Sequence, residues 1–335
     1  MIKADDGLKP TTIINNIYNV FPSFAMLAGM QLDVFIPLKA GAMTAEALAR
    51  TLEAREDKLT PLLYLLVVAG LLQVENEKFS NTEEAATFLV RGEPDYIGDL
   101  SSFYNMIWEV SLKTAESVRT GLPQSKVDFR DLPEEKLMMF FRKQDHSSRR
   151  AGKEIAYKFD FSKYTRLLDA GGGTGGVAAA ICDKFPQIRA TVADLPKVVK
   201  MAEQLIAENG LSDRIDTSAA DLCLEPPSGT YDVAIVRAVV QTLSKGQSQE
   251  TLINVGRSMS SGGRIFIFGN VLENSRLAPI APVSNNLAFL NLYDAGGAYT
   301  EKEFHEMLSN ADFTNISIEH DKMDDGMGMV TALKQ

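Results

Sequence analysis

"LLDAGGGTGG", residues 167–176, decides how this chain reads. It carries G-x-G-x-x-G at Gly171, Gly173 and Gly176, after a strand-like run "TRLLDA" and before a helix-like run "GVAAAICDKFP". Strand, glycine turn and helix in that order offer a ligand backbone N–H groups and a helix N-terminus. Asp194 ends the next strand pattern, "RATVADL". A carboxylate at that point accepts hydrogen bonds from both ribose hydroxyls of an adenosine-bearing cofactor. Asp169, two positions before the first glycine, discriminates among such cofactors. Its charge repels a pyrophosphate and suits a cationic end, such as the ammonium and sulfonium of S-adenosylmethionine (SAM). No G-K-[ST] follows, which excludes a nucleoside-triphosphate loop. SAM, a nicotinamide cofactor and an empty structural turn stay as readings, and Asp169 favours SAM.

Working outward, strands alternate with helices from residue 165 on. "IDTSAADL", "YDVAIVRAV", "RIFIFGNVL", "TNISIEH" and "GMVTALK" read as strands, with helices over 196–210, about 247–259 and about 300–310. The alternation predicts an α/β, Rossmann-like sheet that is mostly parallel, with ligands at its carboxyl edge. Residues 1–100 read as helices followed by a small hairpin turned at Glu75–Glu77, a winged-helix pattern. Residues 101–160 read as a helical linker forming part of a substrate pocket, and 161–335 as the cofactor domain. "TTIINNIYNVFPSFAMLAGMQLDVFIPL" is apolar on more than one face, as a subunit interface requires.

Composition narrows the classes. The 335 residues carry a net charge of −10, which argues against a general nucleic-acid binder and an anionic membrane surface. Residues 41–100 hold 11 acids against 5 bases, so the winged-helix pattern does not read as DNA-binding. No long apolar run predicts a membrane span, and "MIKADDGLKPTT" lacks a signal peptide's apolar core. Two cysteines and three scattered histidines suggest neither a disulfide framework nor a metal site. The expectation is a reduced, cytoplasmic protein acting on a small molecule.

The stretch "LLDAGGGTGGVAAAICDKFPQIRATVADLPKVVKMA" resembles the cofactor core of SAM-dependent small-molecule O-methyltransferases that carry an N-terminal dimerisation domain. "SVRTGLP", "GGAYTEKEF" and "LSNADF" are similar to that family's other motifs, and the likeness covers nearly the whole chain. It implies a class I methyltransferase domain, SAM as cofactor and a homodimer through the N-terminal helices. It also implies that Gly171 and Gly173 pass under the methionine part and that Asp194 holds the ribose. Asp221 would bind the adenine amino group and Leu222 pack on the ring, with Asp169, Leu195 and Arg237 completing the cofactor site.

One departure is chemical. The family places a histidine after the fourth strand, where it takes a proton from a substrate hydroxyl. Counting from Asp232 puts Gln241 there, and Gln is no base. Three explanations follow: a nucleophile without a proton, such as a thioether sulfur; another proton acceptor, with Tyr293, His146 or water as candidates; or loss of catalysis. In the first, Gln241 orients rather than abstracts. Where the family clamps a flat ring, this chain has Gln144, Asp145 and His146. Arg142, His146 and Arg149 share a helical face that would bind a carboxylate or simply meet solvent. Asn285, Asn286, Asn291 and Tyr293 stand where the family has a second catalytic carboxylate. Phe103, Tyr104 and Trp108 read as pocket wall or as core. A small polar or anionic substrate fits, and the chain resembles the family's branch that S-methylates 4-methylthio-2-hydroxybutyrate for dimethylsulfoniopropionate synthesis. The alternative is O-methylation of a phenol or hydroxy acid.

Overall fold

Strands buried on both faces read as continuous apolar runs, and Arg166–Ala170 obeys this: every residue after Arg166 is buried. It is an interior strand of a seven-stranded sheet in a computed structural model that describes residues 8–98, 100–320, 322–323 and 326–335, side chains at 100, 102, 103 and 143 excepted. We number the strands β1 (Arg166–Ala170), β2 (Arg189–Asp194), β3 (Ile215–Ala219), β4 (Tyr231–Arg237), β5 (Met259–Gly269), β6 (Phe313–Glu319) and β7 (Gly328–Lys334). Their spatial order is β6-β7-β5-β4-β1-β2-β3. β7 runs antiparallel between β5 and β6, and the remaining pairs are parallel. The order reverses at β1, which pairs with β2 on one side and β4 on the other, so a crevice opens at their carboxyl ends.

The chain splits into two compact units after Trp108. In the first, helices Thr11–Tyr18 and Val20–Gln31 follow one another, and Ile13, Ile17, Tyr18, Phe21 and Phe24 lie exposed. Thr44 caps helix Ala45–Thr51 through the Ala47 N–H at 3.2 Å. Helix Glu56–Val68 then leads to strands Leu72–Glu75 and Lys78–Asn81, which pair antiparallel. Asn76 and Glu77 both have positive φ (48° and 60°), the hairpin turn whose twist matches its strands. Helix Leu100–Ser111 spans the division, with Trp108 packed edge-on against Phe24 at 5.6 Å within this unit. The Phe103 side chain lies outside the described residues.

In the second unit we number helices α1 (Thr114–Thr120), α2 (Glu134–Lys158), α3 (Gly176–Lys184), α4 (Pro196–Glu208), α5 (Lys245–Arg257), α6 (Ile280–Leu292) and α7 (Glu301–Asn310). Ser244 and Thr300 begin α5 and α7 with capping boxes. Helix α6 escaped the sequence reading: its apolar residues ring the helix, so no amphipathic period marks it. Apolar side chains cover both faces of the sheet, Ile155, Phe161 and Phe268 in one layer and Leu252, Phe304 and Leu308 in the other.

The closest helix contact places the third glycine of the loop. A Cβ at Gly176 would stand 2.8 Å from the Cβ of Ser148 on α2, and one at Gly152 would stand 2.8 Å from the Cα of Val177. Gly152→Ala should therefore push α2 off α3 and cost about 1–3 kcal/mol, the usual penalty of overpacking. Urea unfolding checks this; a variant as stable as the parent would refute the contact.

No helix among the described residues is long and apolar enough to cross a membrane.

Candidate active site

Gly171 and Gly173 both take positive φ (69° and 56°), a conformation that costs any residue with a Cβ. The turn is held from below and from the side. Gly171 N–H donates to the Ala193 carbonyl at 2.7 Å, and Gly173 N–H to Asp194 Oδ2 at 2.9 Å. Asp194 Oδ1 accepts the Leu195 N–H at 2.7 Å. Asp194 keeps an accessible edge, and burial of the rest raises its carboxyl to about 6.

Asp169 is only 1% exposed, so it does not face a ligand directly as the sequence reading had it. A Cβ on Gly172 would lie 2.6 Å from its Cγ, which shows how closely the loop covers it. Its Oδ2 accepts the Ala178 N–H at 3.1 Å in the first turn of α3. Burial raises its carboxyl to about 7; the Ala178 N–H opposes this, the neighbouring Asp194 adds to it, and Arg237 opposes it. Asp169 thus acts on the loop through structure and field.

At the edge of the crevice, Leu222 is buried and Asp221 partly so. Asp221 is already occupied: Arg130 Nη2 donates to its Oδ2 at 2.7 Å. Across the loop, a Cβ on Gly171 would lie 2.3 Å from Val239 Cγ2. Ala238, with φ of 58°, makes the turn that brings Val239 there.

Gln241 follows in that turn and is 6% exposed. Its Oε1 lies 2.8 Å from where Gly269 would carry a Cβ, so the amide fills a notch at the end of β5. Gly296 joins it to Tyr293: a Cβ there would meet the Gln241 carbonyl at 2.6 Å and Tyr293 Cδ2 at 2.8 Å. Asn285 Nδ2 donates to Asn270 Oδ1 at 2.8 Å beside them. Burial pushes the Tyr293 phenol up to about 12, so it stays protonated at neutral pH. This wall holds neutral amides and a phenol.

Other substrate candidates fall elsewhere. Asn291 is fully buried and saturated: Oδ1 accepts Ser117 Oγ at 2.6 Å, and Nδ2 donates to Thr114 Oγ1 at 3.0 Å and the Leu287 carbonyl at 2.8 Å. It ties α6 to α1, and contacting substrate would cost those bonds. Asn286 Oδ1 accepts the Ala298 N–H at 2.6 Å and so holds the loop around Gly296 and Gly297. Tyr104 and Trp108 belong to the first unit, where they help line a small apolar cavity of about 60 Å³ with Met26 and Leu89.

The cationic face of α2 is also corrected. Arg142 forks onto Glu208 of α4 at 3.0 and 2.8 Å, and His146 is exposed. Arg149 donates Nε to Asp145 Oδ2 at 3.2 Å. The face turned to the glycine loop carries Phe141, Ser148 and Gly152, since a Cβ on Gly173 would meet Phe141 Cε1 at 2.9 Å. Asp145 shares that stripe by helical spacing, one position round from Arg142 and His146. Its Oδ1 is buried without a hydrogen-bond partner. Sequence reasoning placed Asp145 at the clamp position without a role for it and passed over Arg130; an orphaned oxygen and an ion pair across 91 residues leave no local signal.

This arrangement fits SAM: an open glycine turn, a carboxylate with a free edge at Asp194, and a second acidic group beside an apolar surface at Asp221 and Leu222. Residues 120–314 match the O-methyltransferase domain, and residues 17–91 match the O-methyltransferase dimerisation domain. The chain belongs to the SAM-dependent O-methyltransferase family. It is similar to 3-hydroxy-5-methyl-1-naphthoate 3-O-methyltransferase of Streptomyces sahachiroi, 26% identical over 92% of this chain and 90% of that one. It is also similar to L-tyrosine C(3)-methyltransferase of Streptomyces lavendulae, 25% identical over 77% and 74%. Human N-acetylserotonin methyltransferase, solved in complex with SAM, shares the fold with a TM-score of 0.79 at 22% identity, covering 100% of this chain and 99% of that one.

Proposed function

We propose that this enzyme transfers the SAM methyl group to a thioether sulfur of a small, polar, anionic molecule, with 4-methylthio-2-hydroxybutyrate as the best match. One observation carries this reading: the wall at the expected base position holds Gln241, Asn270, Asn285 and a protonated Tyr293, none of them a base at neutral pH. A thioether needs none. Its sulfur lone pair forms the new S–CH3 bond as the S–CH3 bond of SAM breaks. The positive charge passes to the product sulfonium, and no proton moves. Orientation and proximity then supply the rate. Family membership leaves the acceptor atom open, since one relative named above is a C-methyltransferase and another an O-methyltransferase.

In this reading Asp194 holds the ribose, Gly171 and Gly173 underlie the methionine part, and Asp221 with Leu222 and Leu195 takes the adenine. Gln241 and Tyr293 orient the reacting end. The exposed apolar residues of Val20–Gln31, inside the match to a dimerisation domain, and of Thr11–Tyr18 leading into it support a homodimer.

A second reading has its own observation. The orphaned Oδ1 of Asp145 is a carboxylate oxygen on the loop-facing stripe, and it would accept the proton of a hydroxyl substrate in O-methylation. One assay separates the two. Purified protein and SAM are offered the thioether acid, methionine, methylthiopropionate, phenols and hydroxy acids, and S-adenosylhomocysteine (SAH) is measured by mass spectrometry. Turnover of the thioether acid alone, at a rate flat in pH once the cofactor is saturating, is expected. Turnover of hydroxyl substrates alone, lost in Asp145→Asn, would overturn the sulfur reading in favour of the oxygen one.

A further inference from the structure

Asp221 is engaged by a charged group reaching from a distant segment. Arg130 presents Nη2 and Nε to the same Oδ2, at 2.7 and 3.3 Å, while Oδ1 accepts the Cys223 N–H at 3.1 Å. Burial pushes the Asp221 carboxyl up, but Arg130 and the Cys223 N–H outweigh it, so it stays ionised and paired at neutral pH.

The segment around Arg130 is anchored independently of Asp221. Lys197, in the first turn of α4, donates Nζ to the Arg130 carbonyl at 2.7 Å. Asp128 Oδ1 accepts the Arg130 N–H at 3.0 Å, which sets the local turn. The Phe129 ring stands 5.9 Å from Phe141, the side chain that faces Gly173. Phe129, Leu132 and Leu195 pack on one small core around Leu137, Val198 and Met201. Residues 128–133 therefore run from the glycine loop's apolar neighbour to Asp221 as a strap with fixed ends, and the Arg130–Asp221 ion pair clasps it to the crevice.

We propose that Arg130 is a latch on the cofactor site: SAM enters as Arg130 gives up Asp221 to the adenine amino group, and SAH leaves as Arg130 takes Asp221 back. This rests on the placement of adenine at Asp221 proposed above. A guanidinium fork is a stronger partner for a carboxylate than a neutral amine, so the pair competes with the nucleoside rather than inviting it. Both partners keep solvent contact, with side-chain exposures of 47% and 19%. Ion pairs of that kind are weak and salt-sensitive, which makes the latch a device acting on rates.

Surface plasmon resonance on the full-length protein reads association and dissociation of SAM and SAH without catalysis. Arg130→Met keeps the apolar stem and removes the fork. It should speed association and slow dissociation of SAM and SAH, raising the affinity for each by roughly two- to fivefold, the range an exposed ion pair commands. Raising salt should accelerate association in the parent and leave the variant unmoved. Arg130→Lys, which keeps the charge without the fork, should fall between. Faster dissociation would make Arg130 a direct cofactor contact and overturn the latch. Unchanged rates at both salt concentrations would overturn it too. Asp221→Ala separates the two layers: if it leaves SAM affinity intact, the adenine placement itself is wrong. If it weakens SAM while Arg130→Met changes nothing, the latch alone fails.

Discussion

Asp194→Ala should weaken SAM binding by about 100-fold or more, because two charge-assisted hydrogen bonds from the ribose hydroxyls are lost at about 1.5–3 kcal/mol each. The loop compounds the loss. Asp194 also accepts the N–H groups of Gly173 and Leu195, so its removal frees the turn that carries the methionine part. The fold itself should survive: truncation removes a carboxyl whose charged form burial disfavours, and the partners it leaves are two N–H groups at the rim of the crevice. Calorimetric titration with SAM, alongside a thermal melt of the unliganded variant, checks both halves. Undiminished affinity would place the cofactor elsewhere. Lost affinity with a collapsed melt would make Asp194 structural.

Affinity for SAM should rise as pH increases from about 5.5 to 7.5, by roughly 10- to 100-fold, and then level off. The sign follows from two carboxyls. Burial raises Asp169 to about 7 and Asp194 to about 6, both above the ordinary value of 3.8. In the unliganded protein, acid therefore keeps protons on both. Each raised group contributes stability that is full below its unfolded pKa and lost as pH climbs through its folded pKa. The free protein should accordingly be most stable on the acid side of that window. SAM reverses the preference, since ribose hydroxyls and a cationic end favour ionised carboxylates. Binding then releases protons. Calorimetry in two buffers of different ionisation enthalpy reads that release directly. SAH keeps the hydroxyls but lacks the sulfonium charge, so its affinity should rise less steeply. A flat SAM affinity across the window, with no buffer dependence of the enthalpy, would refute the linkage.

The glycine turn and the carboxylate beside it were largely written in local sequence. Gly171, Gly173 and Asp194 are set by a strand, a turn and the strand that follows, all within 24 residues. Main-chain geometry dictates that arrangement, and the two glycines at positive φ bear it out. The substrate half was less legible. Arg142, His146 and Arg149 do share a helical stripe, but helical spacing cannot say which stripe meets the glycine loop. Packing of Gly152 and Ser148 on α3 settles this by turning Phe141 inward and leaving Arg142 to Glu208. Asn291 looked like a pocket amide because its type and region fit. Its three hydrogen bonds come partly from Thr114 and Ser117, which are 177 and 174 residues away.

The sequence by itself determined the α/β class, the glycine turn, the carboxylate at Asp194 and the missing base at Gln241. Each depends on residues close in the chain, where backbone periodicity and covalent spacing govern position. Tertiary structure alone decided that Asp169 lies beneath the loop, that Asp145 keeps an unsatisfied oxygen and that Arg130 holds Asp221. These follow from strand order and helix packing, which bring together groups whose separation along the chain carries no trace of their contact.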